Sequence, residues 1–365
     1  MKLVVIMYQD FSKPLGGARK YLEMIEYFAN KKCFSETILI CSKKPKETLE
    51  GVTIYETKLT PPTLKEIKEK GLLYTLFRYF IFYLYQSIFI SSVLKKYKNE
   101  KLIMHTRHDT YSIPTSLISS ILYNRIVVAD GKLFSRELFD IFSFPPFFGK
   151  IILLLESFVL SKYTVFYTYS LPYKYGLFDA LFFREKIKVI PSSINVNGLP
   201  KLRHKEKFVI SYFGGFYTYY SIDTLIKAFK IASEKCPRLQ LYIIGDGEAK
   251  DYLSTLVKSL GIEGKVKFTG YIPKQELLSL LSSIYITVNP TIAFAGVLTT
   301  KKLEAWKVGN VVLEVNPEKS KYRHYEPPDK ATIYYNDTRD LANKILTLIE
   351  NPKKLVKHSY LGRKI

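Results

Sequence analysis

Residues 208–235, FVISYFGGFYTYYSIDTLIKAFKIASEK, decide the fold class. An apolar, β-branched run closes on paired glycines, Gly214-Gly215. After a tyrosine-rich turn, apolar residues recur at helical spacing from Ser221 to Lys235. Strand, glycine turn, then helix is the repeating half of a βαβ unit, and a parallel strand needs such a crossover. The same alternation extends in both directions. The first half offers strands at 2–7, 37–41, 101–105, 125–130, 163–169 and 186–191. The second offers 208–215, 241–247, 266–272, 284–290, 310–315 and 332–336. Six strands twice over predict an α/β chain of two parallel-sheet domains, 1–197 and 198–365. The polar, Pro/Gly-punctuated SSINVNGLPKLRHKEK (192–207) reads as the linker.

Composition limits the function classes. At 365 residues and 47% hydrophobic, the chain can fill two cores. Cys33, Cys41 and Cys236 have no paired spacing, which argues against a disulfide scaffold or a zinc site and suits a reducing, cytoplasmic setting. The opening MKLVVIMYQD holds an apolar run too short for a signal peptide's core. Net charge is +22, which favours anionic partners such as phosphorylated substrates or lipid headgroups. A generally lysine-rich composition reads the same way. No groove-reading motif is present, so nucleic acid is not an expected partner.

One segment breaks the alternation. GLLYTLFRYFIFYLYQSIFISSVL (71–94) carries a single charge, Arg78. Its length could span a bilayer, but a central Arg and many tyrosines argue against that. It reads either as a buried crossover helix or as a helix lying in a membrane interface. FDIFSFPPFFGKIILLLESFVL (139–160) repeats the composition and strengthens the second reading.

In doubly wound sheets, ligands sit beyond the carboxyl ends of the strands. Three glycine turns lie there: Gly16-Gly17, Gly214-Gly215 and GDGEAKDYL (245–253). Glycines before a helix let backbone N–H groups approach a phosphate, though each turn alone also reads as a plain tight turn.

The order of DTLIKAF, PRLQLYIIGDG, VKFTGYIP, a strand ending in Asn289-Pro290, then KKLEAWKVGNVVL is specific. From about 208 to 313 the chain resembles the nucleotide-sugar-binding domain of glycosyltransferase family 4. The first half resembles it more loosely, through Gly16-Gly17, His105, Ser170 and KIKVIPSSIN. The resemblance implies the GT-B architecture, two Rossmann-like domains with parallel sheets facing across a cleft. It implies retaining transfer of a sugar from a nucleoside diphosphate to a lipid-linked, glycan or protein acceptor, with no metal and no cofactor beyond the donor. It implies that Glu304 binds the ribose hydroxyls and that the backbone at Tyr271-Ile272 meets the base. The amides at Leu298, Thr299 and Thr300 would cradle the diphosphate, with Gly16-Gly17 and the turn at Gly214-Gly215 approaching the same phosphates. Asp130 stands where many members place a His against the transferred sugar.

Three positions depart from that pattern. Gly215 and Tyr220 stand where the family places an Arg and a Lys on the diphosphate, and Gly296 stands where it places a first glutamate. Lys301 and Lys302 are the nearest substitute cations, and TTKKLEAW resembles a subgroup with a Lys ahead of the glutamate. Plainer readings stay open: Glu304 as a solvated helix residue, His105 and His108 around Arg107 as acceptor contacts or helix caps, Asp109 as an N-cap, Asp130 as turn chemistry. The candidate catalytic residues are therefore Asp130, His105 and Lys301. The expected location is cytoplasmic, peripheral on an anionic membrane face, and the rival to an enzyme is a nucleotide-sugar-binding scaffold with a decayed site. The close at NPKKLVKHSYLGRKI leaves little chain for the family's usual crossing helix.

Overall fold

The computed structural model describes the chain apart from residues 13–16, 47, 58, 61–63, 109–125, 132–157, 159–161, 169–186, 191, 195–199, 201–205, 293–297, 320–329 and 365. Two compact units emerge, Met1–Tyr169 with Tyr173–Ile190, and Pro191–Ile365 with Ser170–Pro172.

The first unit holds β1 (Lys2–Asp10), β2 (Thr37–Lys43), β3 (Val52–Glu56), β4 (Leu102–His108), β5 (Ile126–Gly131), β6 (Val165–Thr168) and β7 (Ile187–Val189). They form one parallel sheet ordered β3-β2-β1-β4-β5-β6-β7. The sequence predicts six strands here, and the described residues form seven. The extra strand, β3, is half-buried throughout at the sheet edge, so VTIYE lacks the continuous apolar run of an inner strand. Odd residues Leu3, Val5 and Met7 pack toward helix α1 (Gly17–Asn30) with Ala18, Tyr21 and Ile25. Even residues Val4, Ile6 and Tyr8 pack toward helix α2 (Leu64–Lys96) with Phe82, Ile90, Val93 and Leu94.

The second unit has the six strands expected: β8 (Glu206–Phe213), β9 (Gln240–Ile244), β10 (Val266–Gly270), β11 (Ile284–Asn289), β12 (Val311–Val315) and β13 (Thr332–Tyr335). Their order, β10-β9-β8-β11-β12-β13, reverses between β8 and β11. Ligands bind beyond the carboxyl ends at such a reversal. Helices α3 (Ile222–Lys235), α4 (Lys250–Ser259) and α7 (Thr338–Glu350) cover one face. Helices α5 (Lys274–Ser282) and α6 (Thr300–Lys307) cover the other. A last helix, α8 (Pro352–Lys364), packs on α6: Ser359 Oγ donates to Gly309 O at 2.7 Å and Gly362 lies flat against Trp306. Both units are Rossmann-like, as the resemblance implies.

The glycine turns of the second unit lock together. Gly214 N donates to Ile244 O at 3.0 Å, Phe216 N to Asp246 O at 3.0 Å, and Gly245 N to Gly270 O at 2.9 Å. Gly245 has φ +131°, and a Cβ there would overlap the Gly214 carbonyl oxygen. Gly247 has φ +157°, and a Cβ there would come 2.6 Å from Phe216 N. These two glycines serve the close approach of one backbone to another. Gly245→Ala therefore combines strain with a backbone clash. It is expected to destabilise the second unit by more than about 2 kcal/mol, read as a lower calorimetric transition. An unchanged transition would show that the turn has room to move.

Candidate functional site

The reversal between β8 and β11 gathers most of the second-unit residues singled out above. Thr299 caps α6, its hydroxyl accepting from Lys302 N at 3.2 Å, while Leu298 packs into the core beneath. The cap satisfies the third amide of the helix. The amides of Thr300 and Lys301 have no partner among the described residues. Unsatisfied amides at a helix start, with the positive end of the helix dipole, suit an anion.

The two lysines at that start do different work. Lys302 is buried, its Nζ 2.7 Å from Glu314 Oε2, and that carboxylate also accepts from Asn289 Nδ2 at 2.7 Å. This corrects the expectation that Lys302 binds substrate, because its charge is consumed by a core carboxylate. Lys301, about 100° further round the helix, lies against Gly214. A Cβ on Gly214 would come 3.2 Å from Lys301 Nζ. The ammonium sits 4.0 Å from the Tyr212 ring centroid, 5.6 Å from Phe213 and 5.9 Å from Tyr220. Desolvation by these rings pushes its pKa down to about 7, partly countered by Glu314 and Glu304. One cation thus stands beside Gly214 and Tyr220, next to the loop positions that lack the family's own cations.

Glu304, on the next turn of α6, is nearly buried and lies 3.6 Å from Lys274 Nζ at the start of α5. That contact joins α6 to the loop carrying Tyr271, half-exposed, and Ile272, packed on the core. Glu304 is therefore not a freely solvated helix residue. Gly215 is bonded through its carbonyl to Tyr212 Oη at 2.7 Å. Gly296 lies outside the described residues.

In the first unit a polar cluster occupies the carboxyl ends of β4, β5 and β6. His105 is buried, with Nε2 2.8 Å from Tyr167 Oη and its ring edge-on to Tyr21 of α1 at 5.5 Å. Its Nδ1 and the Tyr21 hydroxyl have no hydrogen-bond partner among the described residues. Asp130 is buried and in direct register with Tyr167. Burial drives the His105 pKa down to about 4, and Lys20 adds to the shift. Burial drives Asp130 up to about 7, against Lys20, and pushes the Tyr167 hydroxyl up as well. Asp130 sits in a strand rather than a turn, so turn chemistry does not explain it. Gly17 begins α1 just after β1, while Gly16, Asp109 and Ser170 lie outside the described residues. His108 ends β4. Sequence reading missed Tyr167, Tyr21 and Lys20. The register of Asp130 with Tyr167 at neighbouring strand ends was the available signal.

Residues 199–365 match the family model of glycosyl transferases group 1. An uncharacterized glycosyltransferase of Haemophilus influenzae is 27% identical over 171 residues, which is 46% of this chain and 46% of that protein. The chain thus matches about half the length of that relative. Three solved structures share the fold along the whole chain. Anabaena HepE, solved with UDP and glucose, has 15% identity and a TM-score of 0.71, covering 100% of this chain and 94% of that one. Sucrose-phosphate synthase of Thermosynechococcus elongatus has 16% identity and a TM-score of 0.72, covering 100% and 93%. WaaG, a glycosyltransferase involved in lipopolysaccharide biosynthesis, has 12% identity and a TM-score of 0.69, covering 99% and 94%. The fold is GT-B.

The two lysines separate experimentally. Lys302→Ala leaves Glu314 buried without its cation and should cost about 3–5 kcal/mol of stability in urea unfolding. Lys301→Ala should cost much less. Equal losses would mean that Lys301 is as structural as its neighbour.

Proposed function

We propose that the protein transfers a sugar from a nucleoside diphosphate donor to a lipid-linked, glycan or protein acceptor, with retention at the anomeric carbon, on the cytoplasmic face of a membrane. The observation that carries this reading is the start of α6. Two amides without a partner among the described residues, the Lys301 ammonium and Gly214 converge at the sheet reversal, and Glu304 stands one turn along. The neighbour HepE is solved with UDP and glucose, which supports a nucleotide at this kind of site.

The amides and Lys301 would hold the diphosphate and stabilise the charge that grows as the bond from anomeric carbon to phosphate oxygen breaks. The acceptor oxygen forms the new bond to that carbon, and the departing phosphate oxygen takes the acceptor's proton. Glu304 would accept from ribose hydroxyls, with Tyr271-Ile272 at the base. Asp130 and His105 would face the transferred sugar and the acceptor. A non-catalytic binding protein is the second reading, favoured by the uncharged Gly215 and Tyr220.

Calorimetry with UDP-sugars, followed by product analysis, tests the proposal. Glu304→Ala should weaken donor binding by about 1.5–3 kcal/mol without unfolding the chain. Lys301→Ala should weaken nucleoside diphosphate binding far more than nucleoside binding, and equal losses would reject the phosphate assignment. Because the Lys301 pKa is depressed to about 7, its charge is lost as pH rises through that value. Diphosphate affinity should therefore fall between pH 6 and 9 in the native protein and stay flatter in Lys301→Arg. Donor binding without hydrolysis or transfer on any acceptor favours the second reading.

A further inference from the structure

Helix α2 is apolar on two opposite sides, and among the described residues only one of them is covered. Phe82, Ile90, Val93 and Leu94 are buried against the first sheet, with Tyr97 just beyond the helix, and Tyr8 meets Phe82 edge-on at 5.5 Å. Tyr85 and Tyr97 fix that side further, through Tyr85 Oη to Thr57 O at 2.8 Å and Tyr97 Oη to Tyr55 Oη at 3.1 Å. On the opposite side stand Leu73, Phe77, Phe80, Ile81, Leu84 and Ile88. Leu73 is 84% exposed, Phe77 and Phe80 62%, and Ile88 64%. At about 100° per residue these six fall within a sector about 100° wide, and at 1.5 Å per residue they run for about 22 Å. Such a stripe is a contact surface, since isolated exposed apolar residues do not line up this way.

Its borders are basic. Lys70 lies beside the stripe at one end, its ammonium 4.9 Å from the Tyr74 ring centroid. Lys95, Lys96, Lys98 and Lys101 are exposed at the other end. Within a chain of net charge +22, this excess repels a second copy and attracts an anionic surface. The stretch Phe77–Lys96 is long and apolar enough to cross a membrane. Crossing would pull Phe82, Ile90, Val93 and Leu94 out of the first sheet's core, so the helix is held parallel to any surface it meets.

We propose that the outward face of α2 docks in the interface of an anionic lipid bilayer, with Leu73, Phe77, Phe80, Leu84 and Ile88 inserted among the acyl chains and lysines at both ends on the headgroups. The docking rests on this helix alone. Its use in bringing the enzyme to a lipid-linked acceptor rests on the transferase reading above.

The test is flotation of the full-length protein with vesicles of phosphatidylglycerol and phosphatidylcholine at low salt, with pure phosphatidylcholine as the comparison. Binding should need the anionic lipid and weaken as the Debye length falls from about 10 Å to about 3 Å. The triple variant Phe77→Ser, Phe80→Ser, Leu84→Ser should lower the partition coefficient by at least about tenfold, with its thermal transition retained. Should that variant unfold, the single change Phe80→Trp serves instead. The chain's one native tryptophan, Trp306, is buried, so quenching by brominated acyl chains would report residue 80. No flotation on anionic vesicles overturns the proposal. Flotation with an unquenched residue 80 moves the contact to another surface and overturns it too. A concentration-dependent dimer that the serines abolish would assign the face to a second copy. Flotation persists if the protein transfers no sugar, so the two readings fail separately.

Discussion

Lys302 and Glu314 place opposite charges where no water reaches, and helix α6 is held by that pair. An unpaired charge at such a depth is costly, so the pair tolerates little displacement of α6 relative to β12. Asn289, at the end of β11, bonds the second carboxylate oxygen and brings a third element into the constraint. Behind it, Asn310 donates to Thr287 Oγ1 at 2.9 Å, and Thr287 meets Ser211 Oγ at 3.0 Å. A polar seam thus runs through β8, β11 and β12 beneath the site. With Lys302 fixed inward, helix geometry turns Lys301 toward Gly214, and the first amides of the helix follow. Adjacent residues of one type have opposite surroundings because the helix is pinned through one of them.

The glycines divide by the same logic of space. Gly245 and Gly247 are required because the loops after β8 and β9 touch backbone to backbone. Gly214, at φ +137°, holds a backbone conformation that side chains rarely take, and a Cβ there would crowd the Lys301 ammonium at 3.2 Å. A turn that looks like one phosphate motif is therefore two devices. One interlocks the loops, and the other leaves an opening beside a cation.

What the sequence revealed follows from burial. The six strands of the second unit are legible because a doubly covered sheet demands continuous apolar runs, as in LYII and NVVLEV. β3 is illegible because an edge strand is half-buried and its VTIYE carries mixed side chains. A helix around Glu304 was readable in the residues, and its start near Leu298–Thr300 was implied by the resemblance. The fate of Lys302 was not, since its partner is a lone glutamate within an apolar strand, and nothing local says which lysine turns inward. A glutamate in a central strand is itself the clue that some cation must come to it. The stretch 71–94 left two readings open: its inner side is crossover core, and Leu73, Phe77, Phe80, Leu84 and Ile88 of the other side are exposed.

The first unit's cluster shows how burial can set the character of a site without adding charge. Desolvation keeps the His105 imidazole neutral at physiological pH and holds Asp130 near the midpoint of its titration. The Tyr167 hydroxyl, bonded to His105 and pushed away from ionisation, stays a neutral donor or acceptor. Together with Tyr21, these strand ends offer hydrogen-bonding groups of weak charge under an aromatic edge. That is a weakly charged surface, unlike the start of α6 in the second unit, where Lys301 brings a cation. Each unit thus has its own electrostatic environment at its strand ends, produced by what the local packing excludes from water.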